Sequence, residues 1–289
     1  MNILYCGDAN IADGVLMSVL SLMKHTEEPL NIYLLTASLC REGKECHPLS
    51  EEFSAFLAGI VRRENPKSSV SLTDLSELFE RELPLANIET RFTPCCMLRL
   101  FADQVEGLPD RLLYLDNDVL CRGDFSPFYH ESMENVEVAG VLDYYGSWFF
   151  RNPVWRWWRR DYLNSGVLLL NLAEIRKTQL FAKCRALCVE KKLFMPDQSA
   201  INKLAKGKRI CPRKYNEQRK THKNTVFRHF TTSFRFFPWI RTVRVKPWDV
   251  ERLHSVLRID EFDGLIEEWN QRKQEYVTTK KENRYETTA

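Results

Sequence analysis

The chain has 289 residues, 44% of them hydrophobic, which is ample for one large α/β domain or two small ones with an ordinary buried core. Its formal charge of +3 is too small to imply a nucleic-acid partner from the total alone, and no apolar run approaches the length of a membrane span. Nine cysteines without regular spacing argue against a disulfide framework and fit reduced thiols in a cytosol.

Ile3-Leu4-Tyr5-Cys6 reads as a short buried strand, with Gly7-Asp8-Ala9-Asn10 as the turn after it. No basic segment followed by an apolar core opens the chain, so no signal peptide is expected. Val15, Leu16, Val19, Leu20, Leu22 and Met23 give residues 12–24 a helical period. Strand character returns over 30–35, so the opening is β-α-β, the signature of a parallel sheet with a right-handed crossover. Ligands bind such sheets at the carboxyl ends of strands, where Asp8 and Asn10 lie. A polar turn alone accounts for these two residues equally well.

A second amphipathic helix covers 50–63, with Ser50 as N-cap and Phe53, Phe56, Leu57, Ile60 and Val61 as its apolar stripe. Val70-Ser71-Leu72 is a weak strand, and 93–105 a helix turning Met97, Leu98, Leu100 and Phe101 to the core. Arg99 shares that turn, either as a solvated charge or as an arm reaching a phosphate or ribose; the residues alone favour the first.

Residues 111–120 form an apolar strand that runs into two acids one residue apart, Asp116 and Asp118. Side chains i and i+2 of a strand project to the same side, so extended backbone would bring the two carboxylates together. A hard divalent cation, Mg²⁺ or Mn²⁺, removes their repulsion. The competing reading is an Asx-type turn at Asn117 with both acids solvated.

Residues 136–142 read as a further strand that ends at Asp143. Over 148–162, Trp148, Trp155, Trp157 and Trp158 interleave with Arg151, Arg156, Arg159 and Arg160. These aromatics either complete the core or form a platform for sugar rings or a membrane interface. Asn164-Ser165-Gly166 introduces a continuous apolar run over 167–172, typical of a fully buried strand. One long helix is predicted over 173–192, and another opens at Pro196 with Asp197 as N-cap or first-turn acid, followed by Gln198.

Regular alternation ends at Ile210-Cys211-Pro212. Between 203 and 246 basic residues abound, Glu217 is the one acid, and a strand over 225–230 carries His229, for which a core role is the commoner fate. A helix is expected over 253–273 and a frayed polar tail over 276–289. The glycine fingerprints of dinucleotide and P-loop sites are absent from the sequence.

Taken together, these motifs resemble family 8 glycosyltransferases, the retaining, metal-dependent family that includes bacterial lipopolysaccharide galactosyltransferases and glycogenin. The resemblance runs from Asn2 to Trp248. It rests on Gly7-Asp8-Ala9-Asn10, Met97-Leu98-Arg99-Leu100, the Asp-x-Asp strand Tyr114-Leu115-Asp116-Asn117-Asp118, Asn164-Ser165-Gly166-Val167, Asp197-Gln198 and Lys246-Pro247-Trp248.

The resemblance implies an α/β fold: a single glycosyltransferase-A type, Rossmann-like domain over 1–250 with a mixed, mostly parallel sheet, and a C-terminal helix and tail over 251–289. It implies that Asp116, Asp118 and His229 hold Mn²⁺, or Mg²⁺. Asp8, Asn10 and Arg99 would contact the nucleotide, Asp143 and Asn164 the hexose, Asp197 and Gln198 the sugar near the reaction centre, and Lys246 a donor phosphate. The family usually places a Gly between the His and the Lys, and this chain has none between His229 and Lys246, so Arg235 and Arg241 stand as alternatives to Lys246.

The implied reaction moves galactose or glucose from a UDP-sugar to a glycan or glycolipid acceptor with retention. A double displacement would need Gln198 or Asp197 as nucleophile, whereas front-face return assisted by the leaving phosphate needs neither. The expected setting is cytoplasmic, with 148–162 and 203–246 resting on the anionic inner face of the membrane and no nucleic-acid partner. A metal-dependent nucleotidyltransferase would be expected to carry a Gly-rich basic loop after its first strand, which Asp8-Ala9-Asn10 is not. A binding protein for anionic surfaces would leave Asp116, Asp118 and His229 without a role.

Overall fold

The structure is a computed structural model that describes residues 1–41, 43–90, 93–144, 161–235, 239 and 241–286. Its centre is set by an unbroken apolar opening: in β1 (Asn2–Cys6) all residues but the first are buried. A strand apolar on both faces must be covered on both faces. Ile3 and Tyr5 enter one core with the helices Ala12–Met23 and Glu51–Glu64, and Leu4 and Cys6 enter a second core on the opposite side. The period-two alternation of one strand thus builds a three-layer α/β/α arrangement.

In chain order, β2 (Asn31–Thr36) is followed by the hairpin β3 (Leu39–Arg41) and β4 (Lys44–Cys46), then β5 (Ser69–Asp74) and β6 (Arg111–Leu115). Next come β7 (Val119–Cys121), β8 (Val138–Leu142), β9 (Leu163–Asn171), β10 (Lys208–Ile210) and β11 (Phe227–His229). A last hairpin joins β12 (Ser233–Arg235) and β13 (Arg241–Val243). The main sheet has seven strands in the order β10-β8-β9-β6-β1-β2-β5. All neighbours are parallel except β9, which runs antiparallel to both β6 and β8. The expected mixed, mostly parallel sheet is therefore observed.

Several local expectations are corrected. The strand predicted over 111–120 stops at Leu115, and β7 leaves the main sheet to pair antiparallel with β11. Residues 93–105 form a 3-10 helix, Pro94–Gln104. The single helix predicted over 173–192 is two, Leu172–Thr178 and Leu180–Glu190, broken at Gln179 with φ 57°. Residues 208–210, where alternation was expected to end, add β10 to the sheet edge.

The expected helix over 253–273 is interrupted at Arg258, φ 57°, and a long helix then runs Asp263–Glu286 through the segment expected to fray. Tyr276 explains its persistence, because its ring packs on Phe53 and Phe56 at 5.9 and 5.0 Å between centroids. Ser50 caps its helix as expected, accepting a hydrogen bond from Phe53 N at 3.2 Å. All nine cysteines are free thiols. The tryptophan and arginine cluster expected over 148–162 lies outside the described residues up to 160.

Candidate active site

The site forms where β6 ends. Asp116 N donates to Gly166 O of β9 at 2.8 Å, and the chain then turns, with Val119 N donating to Asp116 O at 3.1 Å. Asp116 and Asp118 are brought together by this turn and not by strand alternation. β7 continues beyond it and pairs His229 of β11 with Val119, while Phe230 N donates to Asp118 O at 3.0 Å. This short two-stranded ladder carries His229 to the acids. Its Nε2 lies 3.3 Å from Asp118 Oδ1 and 3.6 Å from Asp116 Oδ2.

One nitrogen and two carboxylates, with ligand atoms all within 4.8 Å of one another, make a donor set that fits a divalent cation of the Mg²⁺ to Mn²⁺ type. Two observations support the fit. A β-carbon on Gly166 would lie 2.2 Å from His229 Cε1 and 2.7 Å from Asp116 Oδ2, so the backbone there leaves room that a side chain would fill. The Lys246 ammonium contacts Asp118 Oδ2, a cation already seated on one member of the set. Burial alone would raise the Asp118 carboxyl, but Lys246 and His229 outweigh it and hold it well below the ordinary carboxylate range. Burial alone would lower the Lys246 ammonium, but the Asp118 charge raises it. The side chains of the alternatives, Arg235 and Arg241, lie outside the described residues.

Arg99 is not the solvated charge that its helix suggested. It is 4% exposed and donates from Nη1 to Ser165 O at 2.6 Å and from Nη2 to Asp116 Oδ1 at 3.0 Å. Its Nε lies 3.2 Å from Asp197 Oδ2, and its guanidinium stacks 4.0 Å above the Tyr114 ring. Burial opposes the charge, but Tyr114, Asp197 and Asp116 more than compensate and raise the Arg99 pKa. Arg99 thereby fixes Asp116, at the end of β6, relative to Asp197, which sits in the first turn of the helix Pro196–Leu204. Met195, not Asp197, is the N-cap.

Gln198, next on that helix, accepts from Ser165 N at 2.9 Å and from Asn164 Nδ2 at 3.3 Å, and its Nε2 donates to Asp143 Oδ2 at 3.3 Å. Asn164 Nδ2 also donates to Asp143 Oδ2 at 2.8 Å. The side chains of Gln198, Asn164 and Asp143, all three buried, make one connected network. Asp197 Oδ2 has no hydrogen-bond donor among the described residues despite its ion pair with Arg99. Buried polar atoms are normally satisfied, so this one is suited to a ligand hydroxyl.

A cleft of about 760 Å³ is lined by Arg99, Asp116, Asp118, Asp143, Asn164, Asp197, Gln198, His229 and Lys246. Asp8 and Asn10 stand outside this lining, whose wall near them is made by Cys6, Gly7 and Ile11. Asp8 is buried and accepts from Asn10 N at 3.0 Å and from Thr93 Oγ1 at 3.3 Å; Asn10 is exposed.

Sequence reading passed over Ser165, Phe194, Asn216 and Gln218. Phe194 lines the cleft while 60% exposed. Gln218 Oε1 accepts from Tyr144 N at 2.9 Å, and its Nε2, in a side chain that lines the cleft, has no partner among the described residues. The lone acid of the basic stretch was the available signal. Glu217 is buried between Asn216 and Gln218, and its backbone receives His229 N at 3.0 Å.

Residues 2–251 match the family model described as glycosyl transferase family 8. A lipopolysaccharide 1,2-glucosyltransferase of Escherichia coli K12 is 28% identical over 263 residues, covering 83% of this chain and 72% of that protein. The lipopolysaccharide glucosyltransferase WaaO of the same strain is 30% identical over 136 residues, covering 41% of this chain and 38% of that protein. Among solved structures, the galactosyltransferase LgtC in complex with donor and acceptor sugar analogues superposes with a TM-score of 0.68 at 19% identity, covering 94% of this chain and all of that one. The fold is of the glycosyltransferase-A type. With a match across nearly the whole sheet and the cleft, the chain is a glycosyltransferase and belongs to glycosyl transferase family 8.

Proposed function

We propose that this chain is a retaining hexosyltransferase that moves glucose or galactose from a UDP-sugar to a glycan or glycolipid acceptor of the lipopolysaccharide class. The observation that carries the reading is the convergence of Asp116, Asp118 and His229 in a cleft that Asp197, Gln198, Asn164 and Asp143 also line. The names of the relatives favour a hexose and a lipopolysaccharide acceptor.

Asp116, Asp118 and His229 would hold Mn²⁺, which a nitrogen donor favours over Mg²⁺. When bound, the ion neutralises charge on the departing diphosphate. Lys246, already at Asp118, supplies a second positive charge at the same end of the cleft. Arg99 orients Asp116 and Asp197 together, so the metal end and the sugar end keep a fixed separation. Asp8 and Asn10, neighbours in the chain of the lining residues Gly7 and Ile11, are assigned to the nucleoside, and Asp143 and Asn164 to the hexose hydroxyls.

Gln198 Oε1 already receives hydrogen bonds from Ser165 N and Asn164 Nδ2, which blunts it as a nucleophile. That favours front-face return, in which the Asp197 carboxylate stabilises positive charge developing on the sugar ring. The catalytic unit is assigned to 1–250, with the C-terminal helix as an added brace. No described helix is long and apolar enough to cross a membrane. Arg219, Lys220 and Lys223 are exposed in the basic stretch, as is Trp239 at 72%. These suit peripheral contact with an anionic membrane on the cytoplasmic side.

The test is a screen of sugar nucleotides for hydrolysis and transfer in Mn²⁺. UDP-glucose or UDP-galactose should be consumed with release of UDP. Turnover of GDP-sugars alone, or of no sugar nucleotide, would overturn the reading.

A further inference from the structure

We infer that Asn216 is a positioning residue that fixes the tautomer of His229 and ties the metal end of the cleft to its sugar end. The inference rests on the metal-binding role proposed above for His229. It starts from a group whose hydrogen-bond role is unambiguous. The backbone amide of Gly166 can only donate, and it donates to the Asn164 side chain at 3.0 Å. Asn164 must therefore present its oxygen to Gly166 and its NH₂ to the opposite side, where Asp143 Oδ2 accepts at 2.8 Å.

Asn216 lies 2.9 Å from that same Asn164 oxygen and must turn its own NH₂ toward it. The Asn216 oxygen is then left facing His229 Nδ1 at 3.2 Å. An amide oxygen only accepts, so Nδ1 carries the hydrogen. Nε2 is thereby left to present its lone pair to the space between Asp116 and Asp118. One backbone N–H thus decides, through two amides, which imidazole nitrogen is available as a ligand.

Asn216 is fully buried, in the turn after Tyr215. The arrangement has the form of the outer-shell partners of metal-bound histidines, whose loss typically costs about 10- to 100-fold in metal affinity or activity. It differs from a simple orienting contact in having a second end. The same amide whose oxygen orients His229 also holds, through its NH₂, the asparagine that contacts Asp143. Asn216 is therefore expected to affect hexose binding as well as the metal, by two separable halves of one side chain.

Two variants separate the halves. Asn216→Asp keeps an acceptor for Nδ1–H but removes the donor to Asn164, whereas Asn216→Ala removes both. Mn²⁺ binding to the nucleotide-free protein would be followed by the loss of the free-ion EPR signal, and donor use by kcat and KM separately. Asn216→Ala is expected to weaken Mn²⁺ binding by about 10- to 100-fold. Asn216→Asp is expected to keep Mn²⁺ affinity close to that of the unaltered protein while raising the KM for the UDP-sugar.

Long-range ¹H–¹⁵N NMR of the histidine rings of the unaltered, metal-free protein, assigned against His229→Gln, gives a readout that does not depend on either variant folding. His229 should carry its hydrogen on Nδ1. A hydrogen on Nε2 alone would overturn the inference, and so would an Asn216→Ala protein that is folded by circular dichroism and binds Mn²⁺ as tightly as the parent. Unaltered protein that binds no Mn²⁺ would instead overturn the metal assignment beneath it, so the two failures are distinguishable.

Discussion

Gly166 and His229 approach so closely that a β-carbon on the glycine would lie 2.2 Å from the imidazole Cε1. The glycine is thus a spatial requirement of the cleft, because its backbone forms the wall against which the ring rests. Gly166→Ala should displace His229 or Asp116 and cost about 1–3 kcal/mol of stability, the usual range for overpacking. Mn²⁺ binding should fall at least tenfold, since the methyl intrudes between two of the three ligands. A Mn²⁺ titration beside a thermal melt checks both; unchanged binding would show that the three side chains do not act as one ligand set.

The Asp118–Lys246 pair has a pH signature. The Asp118 carboxyl is held below its ordinary value near 3.8, so its contribution to stability is present above that value and is lost as pH falls further. Removing one partner of a buried pair costs about 3–5 kcal/mol. Lys246 is 40% exposed, so water screens the loss and about 1–2 kcal/mol is expected for Lys246→Met. The deficit should be seen in denaturant melts at pH 6 and should shrink below pH ~3.8, where protonation of Asp118 removes the charge left unpaired. An equal deficit at both pH values would mean that the lysine acts through packing alone.

Gln218 offers a donor in a side chain that lines the cleft and has no acceptor for it among the described residues. Gln218→Leu forfeits the hydrogen bond from Tyr144 N and should cost only about 1 kcal/mol of stability. If the amide meets a sugar hydroxyl, KM for donor or acceptor should rise by about tenfold, the worth of one such bond. Steady-state kinetics with each substrate varied in turn would locate the contact. KM values unchanged for both would place Gln218 outside the substrate path.

The sequence made some parts of this molecule legible and hid others, for physical reasons. β1, β6 and β9 are written in continuous apolar runs because strands covered on both faces have no polar side to show. Asp116 and Asp118 were recognisable as a pair, but the turn that joins them depends on Gly166 O across the sheet, and local spacing does not encode a cross-strand acceptor. Arg99 read as solvent-facing because its partners Asp116, Ser165 and Asp197 are distant in the chain.

Gln179 in the left-handed region and Tyr276 against Phe53 likewise reflect tertiary contacts that override local preference. Asn216 and Gln218 sit in a polar turn, where asparagine and glutamine ordinarily signify nothing beyond a loop. Only the lone acid beside them, Glu217, marked that turn as buried.

The central claim is that Asp116, Asp118 and His229 bind a donor diphosphate through a divalent cation, and calorimetric titration of UDP tests it most directly. In Mn²⁺ the protein should bind one UDP per chain. Without divalent cation, or in Asp118→Asn with a preserved melting transition, binding should weaken by at least tenfold. UDP bound equally well in the absence of the metal, or by Asp118→Asn, would contradict the account.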